Sequence, residues 1–191
     1  PSYVKKIVEK YFSKLENKSN RPLPNTLLPK YNDTIFLNQS DEEQTNIEFT
    51  IHNKDKKLVL DTVRNIREKL IYDLIITIVN ARFDALHDKG KMDYDFALLY
   101  KSYITSKTDT LSIYAYLKEN KIKEGLKSIL IELERIRQNG FIEKELELYK
   151  KKHISLMEQD LKSKKTRENN SHVSEISRNF LEDEFVVGEE R

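Results

Sequence analysis

The stretch Glu132–Glu158, ELERIRQNGFIEKELELYKKKHISLME, reads as two charged amphipathic helices that meet at Asn139-Gly140-Phe141. In the first, Leu133 and Ile136 extend a stripe already set by Ile122, Leu126, Ile129 and Leu130, at the three- and four-residue spacing of one helix face. Gly140 ends it, at a left-handed position where only glycine escapes a steric penalty. In the second, Leu146, Tyr149, His153, Leu156 and Leu161 share a face. A last helix is expected from about Asn170, carrying Val173, Ile176, Phe180 and Leu181 ahead of the acidic tail Glu182–Arg191.

Upstream of this helical third the periodicity changes twice. Leu111, Ile113, Ala115 and Leu117 alternate with Ser112, Tyr114 and Tyr116, which makes Thr110–Lys118 a strand with one buried face and a tyrosine stripe on the other. It pairs with Leu98–Ser106 across a turn at Lys107-Thr108-Asp109. Leu58–Leu86 reads as a long helix, its core stripe marked by Val59, Val63, Ile66, Leu70, Leu74 and Ile78 and widened by Ile71, Ile75 and Val79. Before it, Asp33–Gln39 and Gln44–His52 read as strands around the acidic turn Ser40-Asp41-Glu42-Glu43. Arg21–Tyr31, with Pro22, Pro24 and Pro29, is an extended connection. Val4, Ile7, Val8, Tyr11, Phe12 and Leu15 give a first helix that opens with no lead-in, which points to a domain excised from a longer polypeptide.

The order is helix, strand, strand, long helix, strand, strand, helix, helix, helix. That is an α+β fold, an antiparallel sheet layered with helices, and residues 1–191 read as a single domain. A chain of 191 residues buries about 70% of its unfolded surface, enough for one real core.

Chemistry is sparse. The chain has no cysteine, which closes thiolate metal sites, disulfides and cysteine nucleophiles. Its 34 basic and 32 acidic residues are interleaved, as on solvated helix faces, so a nucleic-acid partner is not expected; Lys144–Arg167, the most basic stretch, lacks interleaved aromatics for base stacking. No apolar run is long enough to span a bilayer and residues 1–17 are not a signal peptide, so a soluble chain is expected with its compartment unknown. The histidines are His52, His87, His153 and His172, no two close enough for H-x-x-E-H. His172-Val173-Ser174-Glu175 gives half that pattern, but Ile176 stands where the second histidine belongs. His153 lies on an apolar stripe and reads as a satisfied interfacial residue. No nucleophile-elbow G-x-S-x-G and no glycine-rich phosphate loop occur. No catalytic, cofactor-binding or metal-ligating residue is therefore assigned.

Several segments together resemble the pitrilysin/insulinase family of zinc metallopeptidases. VKKIVEKYFSKL is similar to the helix that follows a short strand in that family, RPLP leads into DTIFLNQSDEEQTNIEFTI, and IVNARFDAL is close to the end of the family's long helix. NGFIEKELELYKKKHISLMEQ resembles its Gly-Phe joint and the helix after it, and SHVSEISRNFLEDE the last helix before the second half of the enzyme. The resemblance is to the second, non-zinc-binding domain of the N-terminal half. It implies a non-catalytic domain shaping a chamber that holds an unstructured peptide, with other domains of the same polypeptide as partners and the zinc in the preceding domain. It also implies a first strand upstream of this chain. Alone, the chain should be inactive. The alternative is a structural or assembly subunit that shares the fold without peptidase activity. Two departures stand out: Ile142 replaces the Thr or Ser that opens the helix after Gly-Phe, and Arg82 has Lys89, not Tyr, seven residues on, so the family's substrate-facing Arg/Tyr pair is not carried over.

Overall fold

Strand β3 (Thr108–Leu117) organises the molecule. Both of its edges are taken, by β1 (Ile47–Lys56) and β2 (Tyr94–Thr105), in an antiparallel sheet of order β1-β3-β2. The computed structural model describes residues 2–16, 24, 26–29, 32–90, 92–166 and 168–185. Around the sheet run α1 (Ser2–Phe12), α2 (Val63–Asp88), α3 (Ile122–Asn139), α4 (Glu143–Lys162), a 3-10 turn (Ser163–Thr166) and α5 (Asn169–Glu182). The fold is α+β, with helices against one face of an antiparallel sheet.

That face is the apolar half of each strand's alternation. Leu117, Ala115 and Ile113 of β3, flanked by Ala97 and Leu99 of β2 and by Ile47, Phe49 and Ile51 of β1, meet Val79 and Phe83 of α2 and Ile129 of α3. Gly125 lets α3 come close: a Cβ there would lie 2.6 Å from the carbonyl oxygen of Asp93 and 3.0 Å from Leu117.

The structure departs from the sequence reading at several boundaries. Asp33–Gln39 forms no strand; Phe36 and Leu37 are 89% and 95% exposed, because β3 has no free edge and neither β1 nor β2 recruits the segment. The intervening acidic residues do form a turn, closed by Glu43 N–H to Asp41 Oδ1 at 2.9 Å. Helix α2 begins at Val63, not Leu58, because Thr62 is its cap and accepts from the Asn65 N–H at 3.2 Å. Its packed stripe is accordingly displaced towards the C-terminus, to Ile75, Ile76, Val79, Phe83 and Leu86, while Val63 is solvent-facing. The hairpin turn is tighter than expected, at Ser106-Lys107, with Thr108 and Asp109 already in β3. Of the proline-rich connection, 24 and 26–29 are irregular and reach the hairpin through Thr26 Oγ1 to Ser106 Oγ at 2.7 Å; the rest of it, and the tail beyond 185, lie outside the described residues.

The Gly-Phe joint has a clear physical basis. Gly140 has φ 67° and ψ −153°, a region reached essentially by glycine alone, although not the left-handed helical one expected. Phe141 then packs on the core and under the Arg82 guanidinium, 5.5 Å from ring centroid to charge. Ile142 caps α4 with extended backbone and no side-chain hydrogen bond. Glu145, three residues on, hydrogen-bonds the Ile142 backbone, so half of a capping box is in place. Ile142→Ser completes it. Since Ile142 is 66% exposed, little apolar burial is lost. The substitution is expected to stabilise the chain by about 1 kcal/mol, raising Tm by about 2–4 °C in a thermal melt.

Candidate functional site

The histidines do not assemble. His52 on β1 bonds Ser112 through Nδ1 at 2.8 Å, and His87 near the end of α2 stacks on Tyr94. His172 is exposed on α5. His153 sits on the part of α4 that faces inward, but its buried Nε2 has no hydrogen-bond partner, so it is not the satisfied residue expected. Among the described residues no group of three His, Cys, Asp or Glu could hold a metal ion. The donor set here does not fit a zinc site.

The densest charged cluster joins the helices. Arg82 of α2 donates from Nε and Nη2 to both carboxylate oxygens of Glu145 on α4, at 2.9 and 2.7 Å, and from Nη1 to Glu132 on α3 at 3.3 Å. Arg135 donates to the other Glu132 oxygen at 3.2 Å. The Arg82 hydrogen bond, followed by its charge and the Ile142 backbone bond, holds the Glu145 carboxyl below its ordinary range against the opposing effect of burial. Both lone-pair sets are satisfied and the guanidinium is covered by Phe141, so this is a clamp between three helices.

The other face of the sheet is different in kind. Across the strands it presents Glu48, Tyr116 and Phe96 in one row, Thr50, Tyr114 and Leu98 in the next, then His52, Ser112 and Tyr100, then Lys54, Thr110 and Ser102. The hydroxyl rows are internally bonded, Ser102 to Thr110 at 3.0 Å and His52 to Ser112. The first rows form an aromatic cluster: Tyr114 and Tyr116 lie edge to face at 5.2 Å between centroids, and Phe96 is 6.2 Å from Tyr116 and 6.4 Å from Tyr114. Hydrogen bonding to Tyr116, then burial and the Glu48 charge, push the Tyr114 hydroxyl above its ordinary value. It stays protonated and donates.

Phe96 keeps the alternation of Leu98, Tyr100 and Ser102 and faces this side with them, whereas Tyr94 leaves it through an irregularity. Tyr94 and Phe96 are two apart and would share a face in a regular strand, but the register shifts between them. Tyr94 therefore points into the core, its hydroxyl donating to the Phe83 carbonyl at 2.9 Å, while Phe96 turns outward at 40% exposure. The tyrosine stripe is legible from alternation. Phe96 is not, because the predicted strand starts only at Leu98, and Glu48, inside a predicted strand, becomes its companion only through the long-range pairing of β1 with β3.

Comparison with known proteins now places the chain. The family described as Peptidase M16 inactive domain matches residues 1–152. The chain belongs to this family. These are the pitrilysin/insulinase-type peptidases, and the fold agrees: the periplasmic protease PqqL from Escherichia coli superposes with TM-score 0.81 at 14% identity, over 98% of this chain and 21% of that one. The separately crystallised first half of PqqL gives 0.73 at 14% identity, over 95% and 39%. The ferredoxin protease FusC, solved as a mutant with Arabidopsis ferredoxin, gives 0.58 at 15% identity, over 98% and 21%. No curated protein sequence matches the chain significantly. This M16 inactive domain thus spans about a fifth of the length of the full proteases it superposes on. Among its described residues no helix is long and apolar enough to cross a membrane.

Proposed function

We propose that this M16 inactive domain is a non-catalytic wall of the peptide-holding chamber of a pitrilysin-type zinc endopeptidase, with the zinc carried by the preceding domain of the same polypeptide. The observation that carries the reading is the sheet face carrying Glu48, Thr50, Phe96, Leu98, Tyr114 and Tyr116, opposite the face on which α2 and α3 pack. A wall needs its helices outside and a broad, chemically varied surface inside. The exposed apolar stripes of α1 (Val4, Val8, Tyr11, Phe12) and α5 (Val173, Ile176, Phe180, Leu181) supply surfaces for docking other domains of that polypeptide. A first strand upstream, as the family resemblance implies, would add to this sheet.

The test is made on the full-length polypeptide. Cleavage of an unstructured peptide should be abolished by a chelator, and the 191-residue chain alone should show none. Leu98→Glu, on the open face beside Tyr114, is expected to raise KM by about threefold to tenfold with kcat little changed, because it removes binding made equally in ground and transition states. An inert full-length polypeptide with a folded preceding domain, or a KM that ignores Leu98→Glu, would overturn the reading, the former in favour of a structural or assembly subunit.

A further inference from the structure

On the same face, Glu48 and the aromatic cluster have a chemistry more specific than a generic wall. Four observations converge there. The first is the bulge at Asp95, which turns Tyr94 into the core and leaves Phe96 as the last outward residue of this end of β2, beside Tyr116 and Tyr114. Bulges are common next to functional surfaces.

The second is the state of the Glu48 carboxylate. Its partners are neutral, the Gln44 amide at 3.0 Å and the Tyr114 hydroxyl, and among the described residues no cation pairs with it. Cationic side chains at this end of the sheet are already engaged: Lys118 donates to the Met92 carbonyl at 3.1 Å, and Lys121 pairs with Asp93 at 2.6 Å. The third is the local sign of charge. Asp41, Glu42 and Glu43 lie a few residues before β1, Asp95 forms the bulge and Glu119 follows β3, whereas Lys54 stands at the opposite end of the face. The fourth is the orientation of the rings. Tyr114 and Tyr116 pack edge to face, Phe96 is edge-on to Tyr114 and tilted to Tyr116, and Glu48 is the cross-strand neighbour of Tyr116; a cation within about 6 Å of a ring face is attracted by the ring quadrupole.

We propose that Glu48, Phe96, Tyr114 and Tyr116 form a subsite for a basic side chain, arginine or lysine, of an extended peptide lying on the open face of the sheet. The proposal rests on the reading of that face as a peptide-holding wall. The guanidinium or ammonium takes the Glu48 carboxylate, its aliphatic stem lies on Phe96, and Gln44 fixes the carboxylate rotamer. A neighbouring domain's apolar surface would use the rings but leave Glu48 desolvated and unpaired, which is why a basic partner fits better.

The experiment is an amide NMR titration of the 191-residue chain with an unstructured peptide carrying a central arginine, against the same peptide with citrulline, its neutral isostere. Shifts should concentrate at 48, 96, 114 and 116, and the arginine peptide should bind about threefold to tenfold more tightly than the citrulline one. Glu48→Gln, at an exposed position, should erase that difference with the spectrum otherwise intact, and Phe96→Ala should weaken both peptides. Equal binding of the two peptides to this face overturns the subsite but leaves the wall reading standing. If neither peptide touches the face, both fall. Arginine-specific shifts sustain the subsite even if the full-length polypeptide proves inert as a peptidase.

Discussion

Arg82→Met is expected to destabilise the domain by about 3 kcal/mol, read as a lower midpoint in urea unfolding with an unchanged slope. The cost comes less from the lost attraction than from what is left behind. Glu132 is only 5% exposed and Glu145 is half-buried at the start of α4, so removing the guanidinium strands two carboxylates at a junction of three helices. Methionine keeps most of the aliphatic stem, which limits the loss of volume, while giving up the guanidinium's contact with Phe141 along with its charge. Adding Glu132→Gln and Glu145→Gln to Arg82→Met should recover a large part of the loss. A single-variant deficit below about 1 kcal/mol would place the clamp among surface ion pairs of no consequence.

The same clamp has a pH signature. Glu145 has its folded-state carboxyl lowered, so its contribution is complete above the unfolded value of about 4.3 and is lost as pH falls through the lowered folded one. The stability gap between the wild-type chain and Arg82→Met should therefore be constant near neutrality and narrow below about pH 4.

How much of this was legible depends on the range of the interaction. Alternation in β3 and the stripe of α3 are local; the first predicted the buried face it forms, the second only in part, since Ile129, Leu133 and Ile136 pack on the core while Ile122 and Leu130 are exposed. The Gly-Phe joint was legible as a corner because Gly140 and the uncapped Ile142 carry their signals within a few residues. By contrast, the start of α2 at Thr62 was masked by the apolar run Leu58-Val59-Leu60, which looks helical until the cap is weighed. Asp33–Gln39 has every local property of a strand and fails for want of a neighbour, a fact no local pattern contains. Arg82 paired with Glu132 and Glu145, 50 and 63 residues away, is invisible for the same reason. Tyr94 in the core depends on a register shift that the alternation rule actively contradicts, since Phe96, two residues on, faces outward.

Phe83→Ala should carry the other large cost, about 3–5 kcal/mol, and it bears on function through what it leaves untouched. Phe83 is one residue beyond Arg82 on α2 but points to the sheet, where it is fully buried and meets Tyr94 edge to face at 6.3 Å. Truncation removes the ring and opens a void between α2 and β2 that backbone relaxation fills only partly. The Tyr94 hydroxyl keeps its acceptor, because that is the Phe83 main-chain carbonyl, so no buried donor is stranded and the penalty is one of packing. Burial, which pushes the Tyr94 hydroxyl up to about 12, should weaken as the void admits water, and ultraviolet titration of the variant should find a tyrosine ionising earlier. The core face and the open face share the same three strands, yet the bulge at Asp95 sends Tyr94 to one and Phe96 to the other. At temperatures below its lowered melting point, Phe83→Ala should therefore retain the arginine-over-citrulline preference of the wild-type chain. Loss of that preference together with stability would mean that the aromatic cluster depends on core packing, and that the two faces do not act independently.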